Sequence, residues 1–266
     1  MSTLNIFQIS FEIWGCIISI IVCILMNTLS FKEDALGKKL WKMILINNFI
    51  LVSDALAYIY RGDTTLLGVA MTHASNFALY ALELMLLVIF VRYVKCLTYE
   101  PGDCRPRIWE YAALIIPAVA FAGLIVTQFT GLYYFFDDTN HYRRGYGAWI
   151  NFAACIAVIL ICTIKLWLSR KKLIKKFKTI LSVCLIIFCV CIALQFMFYG
   201  LSLINIGITI SLLLMYLSHY KTQYDLYVNN SIEEAVGDAQ AIFTYKSAND
   251  IIEGKIQEAD NETREK

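Results

Sequence analysis

The chain has 266 residues, 59% of them hydrophobic and 17% charged, and its 23 basic and 21 acidic side chains leave a net charge of +2. That composition excludes an ordinary water-soluble core. The charge is unevenly spread: residues 221–266 carry five basic and ten acidic groups, a net of −5, which leaves +7 for residues 1–220.

A helix satisfies its own backbone hydrogen bonds, so about 20 consecutive apolar residues suffice to cross a bilayer. Seven stretches meet that requirement: 6–29, 40–60, 66–94, 108–129, 148–168, 179–199 and 201–220. The first has no basic n-region and no small-residue cleavage pattern, so an uncleaved anchor is expected. Glu12, Cys16, Ser19, Cys23 and Asn27 lie along one of its faces. On the second span Asn47, Asp54, Tyr58 and Arg61 share a face, as do His73, Asn76, Tyr80 and Glu83 on the third.

The second and third spans are antiparallel about a turn near Asp63. Reflection through that turn sets Asp54 opposite about position 72 and Asn47 opposite about position 79. An Asp54–His73 pair in the outer leaflet is therefore expected, sharing a proton or forming an ion pair. Ionisable residues within spans are expensive and tend to face a cavity or a partner. This makes Asp54, His73, Asn76, Glu83, Asn47 and Glu12 candidates for a ligand or switch site, joined by Gln195 and Asn205 near the outer ends of the last two spans.

The loop after the fourth span mixes aromatics with both charges. Its Asp137, Asp138, His141, Arg143 and Arg144 are candidates for an outer lid, although surface aromatics also anchor helices at headgroup level. The loop after the fifth carries Arg170, Lys171, Lys172, Lys175, Lys176 and Lys178. Contact with anionic lipid is expected there, at about 1 kcal/mol per nearby basic residue, rather than nucleic acid. The sixth and seventh spans are separated by Gly200 alone, which requires a tight hairpin.

Cytoplasmic loops retain Lys and Arg. Alternate loops hold sixteen basic residues on one side against Arg61, Arg143 and Arg144 on the other, which places the N-terminus outside and the C-terminus inside. Beyond the last span, Leu217, Tyr220, Tyr224, Val228 and Ile232 recur at helical spacing, so the seventh helix is expected to continue into the cytoplasm. Residues 247–250 resemble a capping box ahead of a separate short helix, within a tail expected to be partly disordered.

Nucleotide-binding glycine loops, zinc-protease motifs and nucleophile elbows are absent, and the three histidines and nine cysteines show no ligand spacing. No enzyme activity, metal or cofactor is expected.

The loop Asp137-Asp138-Thr139-Asn140-His141-Tyr142 leading to Tyr146-Gly147-Ala148-Trp149, and the hairpin from Tyr199 to Gly207, resemble the N-terminal seven-helix sensor region of bacterial membrane histidine kinases and diguanylate cyclases. The resemblance covers about residues 6–220. It implies an all-α bundle of seven transmembrane helices in the cell membrane, sensing an external or membrane signal and passing it through the last helix. The cytoplasmic output domain of that family has no counterpart in the 46 residues that follow. The chain is then a truncated product, a relic with no output, or a stand-alone sensor working through a cytoplasmic signalling partner or a second copy, with an unknown small ligand as the signal. A small transporter or channel subunit and a non-catalytic scaffold are the alternatives.

Overall fold

The computed structural model describes residues 3–28, 34–99, 105, 107–169, 175–197 and 202–264. The elements are α1 (Thr3–Thr28), α2 (Ala35–Ile59), α3 (Leu66–Thr98), α4 (Ile108–Thr130), β1 (Tyr134–Phe136), β2 (Tyr142–Arg144), α5 (Ala148–Leu168), α6 (Lys175–Met197) and α7 (Leu203–Arg264). Among the described residues, six of the helices are long and apolar enough to cross a membrane. The chain is a helical, multi-pass membrane protein.

The helices are inside-out by the standard of a soluble protein. On α1 the exposed face is Phe7, Phe11, Trp14, Ile18, Ile21 and Leu25, whereas Gln8, Glu12 and Ser19 are buried. Such a continuous apolar exterior is stable only against hydrocarbon, and the inward polar groups then bond to one another.

Local signals set the helix starts. Asp34 caps α2 by accepting from the Gly37 amide, and Thr65 caps α3 by accepting from Gly68 N at 3.1 Å. Helix α4 stops at Gly131, which takes the left-handed conformation (φ 66°) open to a residue without Cβ.

Helix α3 is the hub of the first unit, Met1–His219. It joins one apolar cluster with Met26 of α1, Leu40 and Ile50 of α2 and Leu212 of α7 through its Leu86 and Tyr93. Val91 and Val94 join a second with Ala113 of α4 and Val158 of α5. Its N-terminal half supports Leu124, Tyr133 and Tyr134 in a third.

The loop after α4 holds a hairpin: β1 and β2 pair antiparallel, with Tyr134 opposite Arg144 and Phe136 opposite Tyr142. One expectation changes. Residues 247–250 do not start a new helix, because α7 runs through them to Arg264. No proline follows Pro117, and Gly237 and Gly254 are the only glycines after Gly207, so nothing in the sequence stops it. The Gly200 hairpin and the basic Arg170, Lys171 and Lys172 lie outside the described residues. Lys175, Lys176 and Lys178 fall in the first turn of α6. The second unit, Tyr220–Lys266, consists of the rest of α7.

Candidate ligand-binding site

A buried polar knot ties α1, α2 and α7 together. Asn205 Nδ2 donates to Asp54 Oδ2 at 2.7 Å and to Ser202 Oγ at 3.1 Å, and the Ser202 hydroxyl also bonds to Asp54. Gln8 Nε2 donates to Glu12 Oε1 at 2.6 Å, and the Ser202 amide donates back to Gln8 Oε1 at 3.3 Å. The Glu12 carboxyl lies within electrostatic range of Asp54. Its Oε2 is buried and has no hydrogen-bond partner among the described residues. Nearly two turns deeper on α2, Asn47 Nδ2 reaches Thr209 Oγ1 at 3.0 Å and Ser19 Oγ at 3.2 Å, a second tie between the same three helices.

The expected Asp54–His73 pair does not form. Thr72 Oγ1 donates to Tyr60 O at 3.1 Å, so residue 54 falls level with about position 78, more than one helical turn from His73. Asp54 also points toward α1 and α7. His73 is exposed, and its ring instead packs at 4.2 Å from that of Phe136 in β1.

Asp54 also borders a cavity of about 540 Å³ lined by side chains of α2, α3, α5, α6, α7 and β2. From α3 it receives Asn76, Tyr80 and Glu83, from α5 Asn151 and Cys155, and from the region of the sixth and seventh helices Gln195 and Ser202. Gln195 Oε1 accepts from Ile204 N at 3.0 Å, and Asn76 Nδ2 donates to Thr72 O at 2.8 Å. The rest of the lining is mostly apolar. This is the size and character of a small-molecule pocket: concave, apolar, with a few placed polar groups.

The β1–β2 hairpin packs on the N-terminal half of α3. Alternation along the strands puts Tyr134, Phe136, Tyr142 and Arg144 on one face and Phe135 and Arg143 on the other. Tyr80 and Tyr142 share a hydroxyl hydrogen bond of 2.7 Å, and Tyr80 stacks on Tyr134 at 5.2 Å. Tyr142 and Arg144 reach the cavity wall, while Arg144 lies 5.9 Å over the Phe152 ring.

Asn140 clamps the hairpin to the α2–α3 turn. Its Nδ2 donates to Asp63 O at 2.7 Å and Thr72 Oγ1 at 3.1 Å, and its carbonyl accepts from Gly62 N at 3.0 Å. Asp137 shapes the turn, accepting from the Thr139 hydroxyl at 2.7 Å, His141 N at 2.9 Å and Arg143 Nε at 3.0 Å. Those donors, Thr139 first, hold its carboxyl far below the usual carboxylate range. Asp138 is exposed at the tip, and His141 Nδ1 contacts Thr139. Of the lid candidates, Arg144 alone lines the cavity; Asp137, Asp138 and His141 belong to the turn, and Arg143 stands on the other face of β2.

Sequence reading missed Gln8, Ser202, Asn140 and Asn151. Gln8 stands four residues before Glu12 on the same helical face and was legible; the other three depend on which helices meet. The chain matches no protein-family model, no curated protein and no solved structure.

Proposed function

We propose that the chain is a receptor-like sensor of the cell membrane that takes a small ligand into the hairpin-covered cavity and reports it through α7. One observation supports this most. Asp54 is at once a wall of the cavity and the acceptor that holds Asn205 of α7. An occupant that alters Asp54 therefore acts on the output helix directly, giving ligand and helix the shared two-state element that coupling needs.

In this reading there are seven crossings with the N-terminus outside, as the sixteen-to-three distribution of basic residues supports. The hairpin then faces the exterior, and residues 216–232 carry the movement to a cytoplasmic partner. The resemblance to bacterial sensor regions points the same way.

The test is hydrogen exchange along residues 203–232 in lipid nanodiscs, comparing the wild type with Ala57→Phe, which fills the cavity from α2. Exchange rates in that segment should change by about tenfold, equivalent to about 1.4 kcal/mol of coupling, and Asn205→Leu should abolish the change. Rates within twofold of wild type would end the reading. The second reading, a small transporter, draws on Asp54 and Glu83 both lining the cavity, since intramembrane carboxyls also mark ion paths. Solute flux through reconstituted liposomes would favour it.

A further inference from the structure

The cavity carries two acceptors without a donor among the described residues. Glu83 lines it from α3 and makes no hydrogen bond among the described residues. The groups within its electrostatic range are Asp54, of the same sign, the Tyr80 hydroxyl, which is shared with Tyr142, and the Cys155 thiol one turn along α5 from Asn151. Asn151 lines the cavity from α5, is 3% exposed, and its Oδ1 has no donor among the described residues. Helices α3 and α5 pack against each other, so the two acceptors face one space.

A half-buried carboxyl and a buried amide oxygen without donors are costly, and the complement that relieves both is a group rich in donors and positive in charge. A neutral ligand would leave a carboxylate there without a counter-charge. An anion would bring no donor to either acceptor. Neither arginine on the cavity wall is among the groups that act on Glu83, and Arg144 lies over Phe152. Around the acceptors stand aromatic rings, among them Tyr80, Phe90 and Phe188, whose faces attract cations. Leu79, Leu87 and Ile159 line the wall as well and suit an apolar body.

We propose that the ligand is a protonated amine carrying an apolar body, its ammonium held between the Glu83 carboxylate and Asn151 Oδ1. The inference rests on the receptor reading and names the class of signal it would take.

Binding calorimetry on the full chain in lipid nanodiscs, with empty discs subtracted, can test it using three probes of one shape: phenethylamine, phenethyl alcohol and phenylacetate. The amine should bind at least about tenfold more tightly than the other two, the expectation for one charge-assisted hydrogen bond. Glu83→Gln keeps the side chain's shape and should bring the amine down to the alcohol's affinity; Asn151→Ala should lower it by a smaller factor. Unchanged alcohol binding in both variants shows that the cavity is still folded. Equal binding of the three probes by the wild type overturns the amine class and leaves the receptor reading standing. So does an amine preference that survives in Glu83→Gln, since the charge would then be recognised elsewhere. Tightest binding of phenylacetate overturns it in favour of Arg61 and Arg144. Binding of none of the three counts against both proposals.

Discussion

Replacing Asn140 should release the hairpin from the bundle, and its contacts set the size of the effect. The amide has two hydrogens, used on Asp63 O at 2.7 Å and Thr72 Oγ1 at 3.1 Å. Losing these two hydrogen bonds, one buried and one part-buried, costs about 2 kcal/mol. Thr72 Oγ1 keeps its bonds to Gly68 O and Tyr60 O, but the part-buried Asp63 carbonyl loses its donor, about 1 kcal/mol more. Asn140 also sits at φ 54°, a left-handed conformation that alanine adopts at a further cost of about 1 kcal/mol and glycine at none. Asn140→Ala should therefore favour local opening by about 4 kcal/mol and Asn140→Gly by about 3 kcal/mol.

Trypsin offers a direct assay, because Arg143 and Arg144 lie in the hairpin itself. Where opening is fast relative to cleavage, the rate tracks the population of the open form. Cleavage at this site should rise about a hundredfold for Asn140→Gly and about fivefold further for Asn140→Ala. Wild-type rates in both variants would refute the clamp, and identical rates for alanine and glycine would refute the contribution of backbone strain.

Asp137 gives the hairpin a pH dependence of definite sign. Its folded pKa is depressed, so its stabilisation is complete above the ordinary carboxylate value of about 4 and disappears as pH falls below that value toward the folded one. Amide exchange protection over residues 133–145, corrected for intrinsic rates, should be flat from neutrality to about pH 5 and decline below about pH 4, with Asp137→Asn removing the decline. Gly123→Ala would place a methyl group in the position of the Tyr133 hydroxyl, which donates to Ala120 O at 3.2 Å. Its thermal unfolding in detergent should show a loss of about 1–3 kcal/mol, and an unchanged midpoint would mean that Tyr133 does not dock there. Asn205→Leu removes a donor from a buried carboxyl and should cost about 1.5–3 kcal/mol in the same measurement. A cost near the ~0.6 kcal/mol typical of interhelical hydrogen bonds in membranes would show that the knot is ordinary packing.

Most of the helical frame is written locally. Runs of apolar residues fix where α1 to α5 lie to within a few residues, because length and hydropathy alone decide whether a segment can satisfy its backbone in lipid. The same reading picked out Glu12, Asn47, Asp54, Asn76, Glu83, Gln195 and Asn205, since a polar group inside a span must find a partner wherever the helix goes. It missed the hairpin, where two three-residue strands give too short a period to register against their aromatic surroundings.

By itself, then, the sequence determined that this is a helical membrane protein and which side chains would be driven inward, because both follow from the solvent each residue prefers. Only the tertiary structure decided that Asp54 meets Glu12 and Asn205 rather than His73, and that Glu83 and Asn151 are left facing one cavity. Which faces of separate helices come together depends on packing between residues as far apart in the chain as Asp54 and Asn205, and no local periodicity encodes that choice.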